Sequence, residues 1–149
     1  MKILLILVVI LLTLYAFRTA FMKVDFKQNP AGGIQFKSAD WSAAVQQAKA
    51  ENKPILLDIY ATWCGPCKLL KTSTFADKQA GDYFNQHFIN VALDGEQPEG
   101  AQLARQFQIR GYPTLIILSP AGEVRHKSAG YVDADGLIAL GKQYGPASN

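Results

Sequence analysis

Cys64 and Cys67 are the only cysteines in a chain of 149 residues, and they stand three positions apart in Trp63-Cys64-Gly65-Pro66-Cys67-Lys68. Thiols at that spacing on a helix share a face, with Cβ atoms about 5–6 Å apart, within reach of a disulfide after small adjustment. The chemistry open to them is thiol–disulfide exchange, in which one thiolate attacks and the other resolves. Pro66 suits the first turn of a helix, where the N–H it lacks would have no intrahelical partner. Cys64 then lies at a helix N-terminus, whose partial positive charge favours thiolate over thiol. As the N-terminal and expectedly more exposed cysteine, it is the candidate nucleophile. Cys67 is the resolving thiol and needs a base. Asp58 is the candidate, because it is embedded in the apolar run Ile55-Leu56-Leu57-Asp58-Ile59-Tyr60. A carboxylate there is costly, so its pKa is expected to rise toward neutrality.

These residues need a strand and a helix to hold them. The run 55–60 reads as a buried strand that breaks at Ala61–Thr62, just before the helix of the cysteines. Leu69 and Leu70 are expected to anchor that helix, leaving Lys68 and Lys71 outward as solvated surface. Upstream, Asp40 caps a helix from Trp41 to about Ala50, with Trp41, Ala44, Val45 and Ala48 as its inner stripe; Asn52 and Pro54 end it. Downstream, a helix over 77–86 leads into a strand over 88–93, and a short helix follows over 100–107. Then come a strand over 114–118, a turn at Pro120-Ala121-Gly122, a strand over 124–128 and a last helix capped by Asp133. Leu137, Ile138 and Leu140 of that helix face the sheet. This order predicts an α/β fold, a central mixed β-sheet covered by helices on both faces.

From about Trp41 to Gln143 the chain resembles the thioredoxin family. Trp63-Cys64-Gly65-Pro66-Cys67-Lys68 matches the family's active-site signature, Asp58 its buried acid, and Ile109-Arg110-Gly111-Tyr112-Pro113-Thr114 the segment with its cis-proline. The resemblance implies the thioredoxin fold, with Cys64, Cys67 and Asp58 catalytic. Trp63, Gly65, Pro66, Tyr112, Pro113 and Thr114 are implied as active-site support and substrate contacts. Trp63 shields the site and shapes the docking face, while Pro113, if cis, exposes backbone for pairing with an extended substrate. Two positions depart from the pattern. Thioredoxins often pair the buried acid with a lysine from the next strand, where this chain has Asn90. Tyr112 stands where an aliphatic residue is usual, which reads equally as an altered partner preference or as a packing aromatic.

Composition excludes several other classes. Formal net charge is +3, and residues 19–149 hold 13 basic against 12 acidic side chains with no arginine-rich block, so nucleic-acid binding is not expected. Two cysteines are too few for a disulfide scaffold. With His87 and His126 isolated, no metal site is expected, nor any cofactor beyond the Cys64–Cys67 disulfide itself.

Residues 3–17 are apolar except Thr13 and follow Lys2. As a helix they would be roughly 22 Å long against a hydrocarbon core of about 30 Å, which fits the upper range of a signal-peptide h-region. No good cleavage site follows, so residues 1–22 read as a signal peptide or, preferably, an uncleaved signal anchor. Arg18 and Lys23 would snorkel at the far interface. Residues 23–38, containing Asn29-Pro30-Ala31-Gly32-Gly33 and a short strand at 34–36, read as a linker, and 39–146 as the thioredoxin-like domain. Arg18, Lys23 and Lys27 outnumber Lys2, which argues for a cytoplasmic domain. The signal-like start argues for a periplasmic or otherwise exported domain on an inner-membrane anchor, and that reading is preferred.

The expected activity is reduction of protein disulfides, since Gly-Pro between the cysteines resembles reducing thioredoxins near about −270 mV rather than oxidants near about −120 mV. The electron donor implied is a membrane thiol:disulfide interchange protein, or thioredoxin reductase if the domain is cytoplasmic. The alternatives are a peptide-binding, chaperone-like module without turnover and a disulfide oxidase or isomerase. The acidic stretch 94–100 reads as a connection longer than usual in thioredoxins. It sits at the sheet's carboxyl edge, where it would screen partners or be a neutral insertion.

Overall fold

The computed structural model describes residues 2–21, 24–38 and 40–146. The elements run α1 (Lys2–Phe21), β1 (Lys37–Ser38), α2 (Trp41–Glu51), β2 (Ile55–Tyr60), α3 (Gly65–Leu69), a π-helical turn (Leu70–Thr74), α4 (Lys78–His87), β3 (Ile89–Asp94), α5 (Pro98–Gln106), β4 (Thr114–Leu118), β5 (Val124–Ala129) and α6 (Ala134–Tyr144). They build the expected thioredoxin fold. One five-stranded sheet has the order β1-β3-β2-β4-β5. β1 and β2 run parallel to β3, and β4 runs antiparallel to both β2 and β5.

β2 lies at the centre with all six residues buried, as a near-continuous apolar run requires when both faces are covered. Strand side chains alternate between faces, and the core divides accordingly. Ile55, Leu57 and Ile59 pack with Val91, Leu93 and Ile116 against Ala44 and Ala48 of α2 and Leu103 of α5. Leu56 packs on the opposite side with Leu115, Ile117, Phe84 and Leu137. Fully burying such a side chain stabilises the fold by about 1.5–3 kcal/mol, which anchors this strand against the cost of carrying a charged residue. Asp58 projects to the same side as Leu56. α2 and α6 begin at the caps the sequence predicts, and Asp77, expected as the first residue of its helix, is the cap of α4. The carboxylates of Asp40, Asp77 and Asp133 accept the N–H groups of Ala43, Ala80 and Gly136 at 2.8–3.0 Å, satisfying donors that have no intrahelical partner.

Three expectations about elements change. Residues 34–36 form no strand; the strand is Lys37–Ser38. Their backbone is satisfied by other groups: Ile34 N–H donates to the Phe75 carbonyl at 2.8 Å, and the Asn29 side chain bonds both backbone groups of Phe36. Ile34 and Phe36 are buried in the core, so the stretch expected to be a linker packs against the domain. The acidic connection is short, because Pro98 sits in the first turn of α5 and leaves only Gly95-Glu96-Gln97 between β3 and that helix. Within the cysteine helix, Leu70 is buried but Leu69 is 51% exposed and Lys71 only 7%. The helical spacing 67, 70, 71, 74 sets the inward stripe, and it overrides the polarity that had placed Lys71 outside.

The N-terminal helix is present as α1, and its described side chains, residues 4–15, are all exposed. Among the described residues no helix is long and apolar enough to cross a membrane. Lys23, expected at the far interface with the Arg18 side chain, lies outside the described residues, as does that side chain.

Candidate active site

β2 ends at Tyr60, and a tight turn follows in which Cys64 N–H donates to the Ala61 carbonyl at 3.1 Å. Cys64 is the N-cap of α3, and its sulfur accepts the backbone N–H of Cys67 at 3.1 Å. Pro66 occupies the first turn, where it removes no helical hydrogen bond. The two cysteines are joined in a disulfide with Cα atoms 5.3 Å apart. A thiolate released at Cys64 would keep that N–H and the positive end of the helix, both of which favour the anion.

Exposure does not separate the two sulfurs as expected. Cys64 is 3% and Cys67 2% exposed, because both belong to one buried cluster with Tyr60 and Ala61, against which Phe26 and Tyr112 pack. What separates them is position: Cys64 lies between the exposed residues Trp63 and Gly65-Pro66, whereas Cys67 points inward from the first helical turn.

Asp58 is 3% exposed, and one of its carboxylate oxygens is buried without a hydrogen-bond partner. Its register partners are Ala92 on β3 and Leu115 on β4, so neither neighbouring strand brings polar support. Burial pushes its pKa up to about 7, with the Lys71 ammonium pulling the other way. Asn90, at the position where a strand lysine is expected, turns its amide to the Phe84 carbonyl at 3.2 Å instead. Tyr60, at the end of the same strand, is pushed up to about 12 by burial and by the nearby acids Asp94, Asp58 and Asp25.

The rim is built from distant parts of the chain. Trp63 is 65% exposed, and its indole N–H donates to Glu96 at 2.8 Å. Tyr112 meets the Trp63 ring edge-on at a centroid distance of 6.2 Å. Gly95 N–H donates to the Tyr60 carbonyl at 2.8 Å, and a side chain on Gly95 would collide with the Tyr112 ring at 2.5 Å. The short acidic turn is thereby pinned against Tyr112 and Trp63. The Tyr112–Pro113 peptide is cis, Pro113 and Thr114 are buried, and the Thr114 hydroxyl donates to the Gly111 carbonyl at 2.7 Å.

Sequence reasoning brought Cys64, Cys67, Asp58, Trp63, Tyr112 and Pro113 to one end of the sheet, and all six are found there. It missed Lys71 and Phe26. Lys71 carried a usable signal, since it lies one helical turn after Cys67 and so faces the same way. Phe26 carried none, because a lone aromatic in an irregular stretch does not say what it packs on. It stacks on Tyr60 with ring centroids 4.3 Å apart.

The profile of the thioredoxin-like domain family matches residues 41–145. A protein disulfide-isomerase of Ricinus communis is 38% identical over 98 residues, covering 63% of this chain and 19% of that protein. The thiol:disulfide interchange protein DsbD of Haemophilus influenzae is 30% identical over 111 residues, 71% of this chain and 19% of its own length. The chain thus spans about a fifth of these relatives. Among solved structures, a disulphide-isomerase candidate from Bacteroides thetaiotaomicron superposes with a TM-score of 0.65 at 38% identity, over 74% of this chain and 91% of that one.

Proposed function

The chain belongs to the thioredoxin-like family of thiol–disulfide oxidoreductases, and from that premise we propose that it reduces disulfides in exported proteins. The observation that carries the reading is the Cys64–Cys67 disulfide at the start of α3, with a buried acid of pKa about 7 on the strand leading into it. In the reduced form, the Cys64 thiolate attacks a substrate disulfide. A Cys64–substrate bond forms, the substrate's own S–S bond breaks, and one substrate thiolate leaves. Cys67 then gives its proton to the Asp58 carboxylate and attacks the Cys64 sulfur. This closes the Cys64–Cys67 disulfide and releases the second substrate thiolate. Two electrons pass to the substrate, and a donor dithiol must return them. The similarity to DsbD favours a membrane thiol:disulfide interchange protein as that donor and an exported setting for the domain. The apolar, signal-like residues 3–17 favour an N-terminal membrane anchor, against the finding that no described helix is long and apolar enough to cross a membrane.

A Cys67→Ser chain purified from cells is expected to carry partner proteins covalently on Cys64, because the first attack proceeds and the second cannot. Recovery of the variant free of mixed disulfides would count against turnover and favour a binding module. A second reading, disulfide isomerase, draws on the similarity to the Ricinus communis enzyme. The reduction potential separates the readings: a reductase is expected near about −270 mV, an isomerase near about −180 mV.

Glu96 is proposed to screen partners through its hold on Trp63. Removing residues 96–99 would be a poor test, since Pro98 opens α5 and the Glu99 carboxylate accepts Trp41 N–H at the start of α2, at 2.9 Å. Glu96→Gln is cleaner. It is expected to change stability by less than about 0.5 kcal/mol, as exposed substitutions do, while changing reduction rates unequally among protein substrates. Equal rates with every substrate would remove Glu96 from the account.

A further inference from the structure

Lys71 is a buried cation that the mechanism above does not use. Its ammonium donates to the Phe26 carbonyl at 3.4 Å and lies 5.7 Å from the centre of the Phe36 ring, with the residue 7% exposed. Both contacts come from the segment that precedes the β1 strand, far from Lys71 in the chain. A lysine in that position gives up most of its hydration, and lysines are almost never buried so deeply without a partner.

We infer that Lys71 is a positioning residue that supplies, from the cysteine helix, the positive charge which keeps the buried Asp58 able both to take and to release a proton. The inference rests on the reading of Asp58 as the proton acceptor for Cys67.

Four observations converge on it. Asp58 has Ala92 and Leu115 beside it in the sheet, and Asn90 is turned away to Phe84, so no strand neighbour balances its charge. One Asp58 oxygen has no hydrogen-bond partner, so hydrogen bonding does not do so at that atom either. Lys71 lies on the inward stripe of its helix with Cys67, one turn away. The coupling is also mutual: Lys71 lowers the pKa of Asp58 against burial, while Asp58 and Asp25 raise that of Lys71 against its own burial. In the reduced chain the other ionisable groups near this region are the Cys64 and Cys67 thiols, which are never cationic, with Asp25 on the N-terminal segment, Asp94 at the end of β3 and the Tyr60 hydroxyl. The two acids are of the wrong sign to support a carboxylate, and the tyrosine stays neutral.

The arrangement suits a group that must change state. With no cation, burial would hold Asp58 protonated through the neutral range, and it could not accept the Cys67 proton. A direct ion pair would hold it ionised, and it could not give the proton back. Lys71 bonds to the Phe26 carbonyl rather than to the carboxylate, which leaves its charge to act through space. Phe26 thereby gains a role beyond packing, since its carbonyl fixes where that charge sits.

The test is the titration of the Asp58 carboxyl, followed by ¹³C NMR in the full chain with Cys64 and Cys67 reduced. In Lys71→Met the midpoint is expected to rise by about one pH unit or more, and the pH dependence of mixed-disulfide resolution to move with it. Lys71→Gln, which keeps a polar end but no charge, is expected to do the same, and Lys71→Arg to stay near the natural chain. A midpoint unmoved in Lys71→Met and Lys71→Gln would overturn the inference, leaving Lys71 a packing residue whatever the loss of thermal stability. A midpoint moved equally by Lys71→Arg would overturn it too. The titration needs no disulfide substrate, so it is separable from the proposed function. If the natural chain failed to exchange disulfides, that function would fall while a moved midpoint still supported the charge placement.

Discussion

Cys64→Ser is expected to slow reduction of a protein disulfide by on the order of 10⁴-fold or more. A serine hydroxyl in the same place is not ionised at neutral pH and cannot enter a sulfur exchange. Because the two sulfurs are almost equally buried, at 3% and 2% exposure, the assignment of the attacking one rests on where each lies. Cys64 is at the helix start, flanked by exposed Trp63 and Gly65, with its sulfur accepting the Cys67 N–H; Cys67 is one turn deeper. Single-turnover fluorescence with a disulfide-linked substrate checks this. Cys67→Ser is expected to complete the first attack at close to the natural rate and stop there. If Cys67→Ser were inert and Cys64→Ser formed the mixed disulfide, the roles would be reversed and the helix-terminus argument would be wrong.

Asp58→Asn is expected to change the dependence of stability on pH more than any other single substitution. The carboxyl has a pKa of about 7 in the folded chain against 3.8 for an unperturbed group, so the folded state holds this proton more tightly than the unfolded one. The stability that the proton contributes is fully present below about pH 4. It is lost progressively as pH rises toward 7, and is gone above that. At 1.36 kcal/mol for each pH unit of separation, the loss is on the order of 4 kcal/mol. Asparagine does not ionise and is spared it. In urea unfolding of the disulfide-bonded protein, the advantage of Asp58→Asn over the natural chain is expected to grow by about that amount between pH 4 and pH 8. A constant difference at the two pH values would show that Asp58 does not titrate in this window. The same variant is expected to slow mixed-disulfide resolution about 10²-fold, the lower end for loss of a general base, and to flatten its pH profile near 7. A group that favours unfolding at neutral pH is readily explained by a functional use, since an asparagine would be the more stable choice.

Much of the site was legible because its parts are chain neighbours. Asp58, Trp63, Cys64, Gly65, Pro66 and Cys67 lie within ten residues, and their chemistry follows from a strand, a turn and a helix start that each leave a local signature. The carboxylate caps of α2 and α6 and the burial of β2 were readable for the same reason. Errors arose where polarity was allowed to outvote period, as at Lys71 and Leu69, and where a proline inside an acidic stretch marked the start of a helix rather than more loop.

The order of elements, the thiol pair with its helix start and the acid in the central strand were determined by the sequence alone, because hydrophobic period, proline geometry and residue spacing act over a few residues. Only the tertiary structure decided what surrounds them. Phe26 stacks on Tyr60, its carbonyl holds Lys71, Glu96 holds the Trp63 indole, and both sulfurs are covered. The first three of these contacts join residues more than thirty positions apart. They arise when the sheet closes and its helices pack, and burial, which then sets the charge states of Asp58 and Lys71, belongs to the folded chain rather than to any stretch of it.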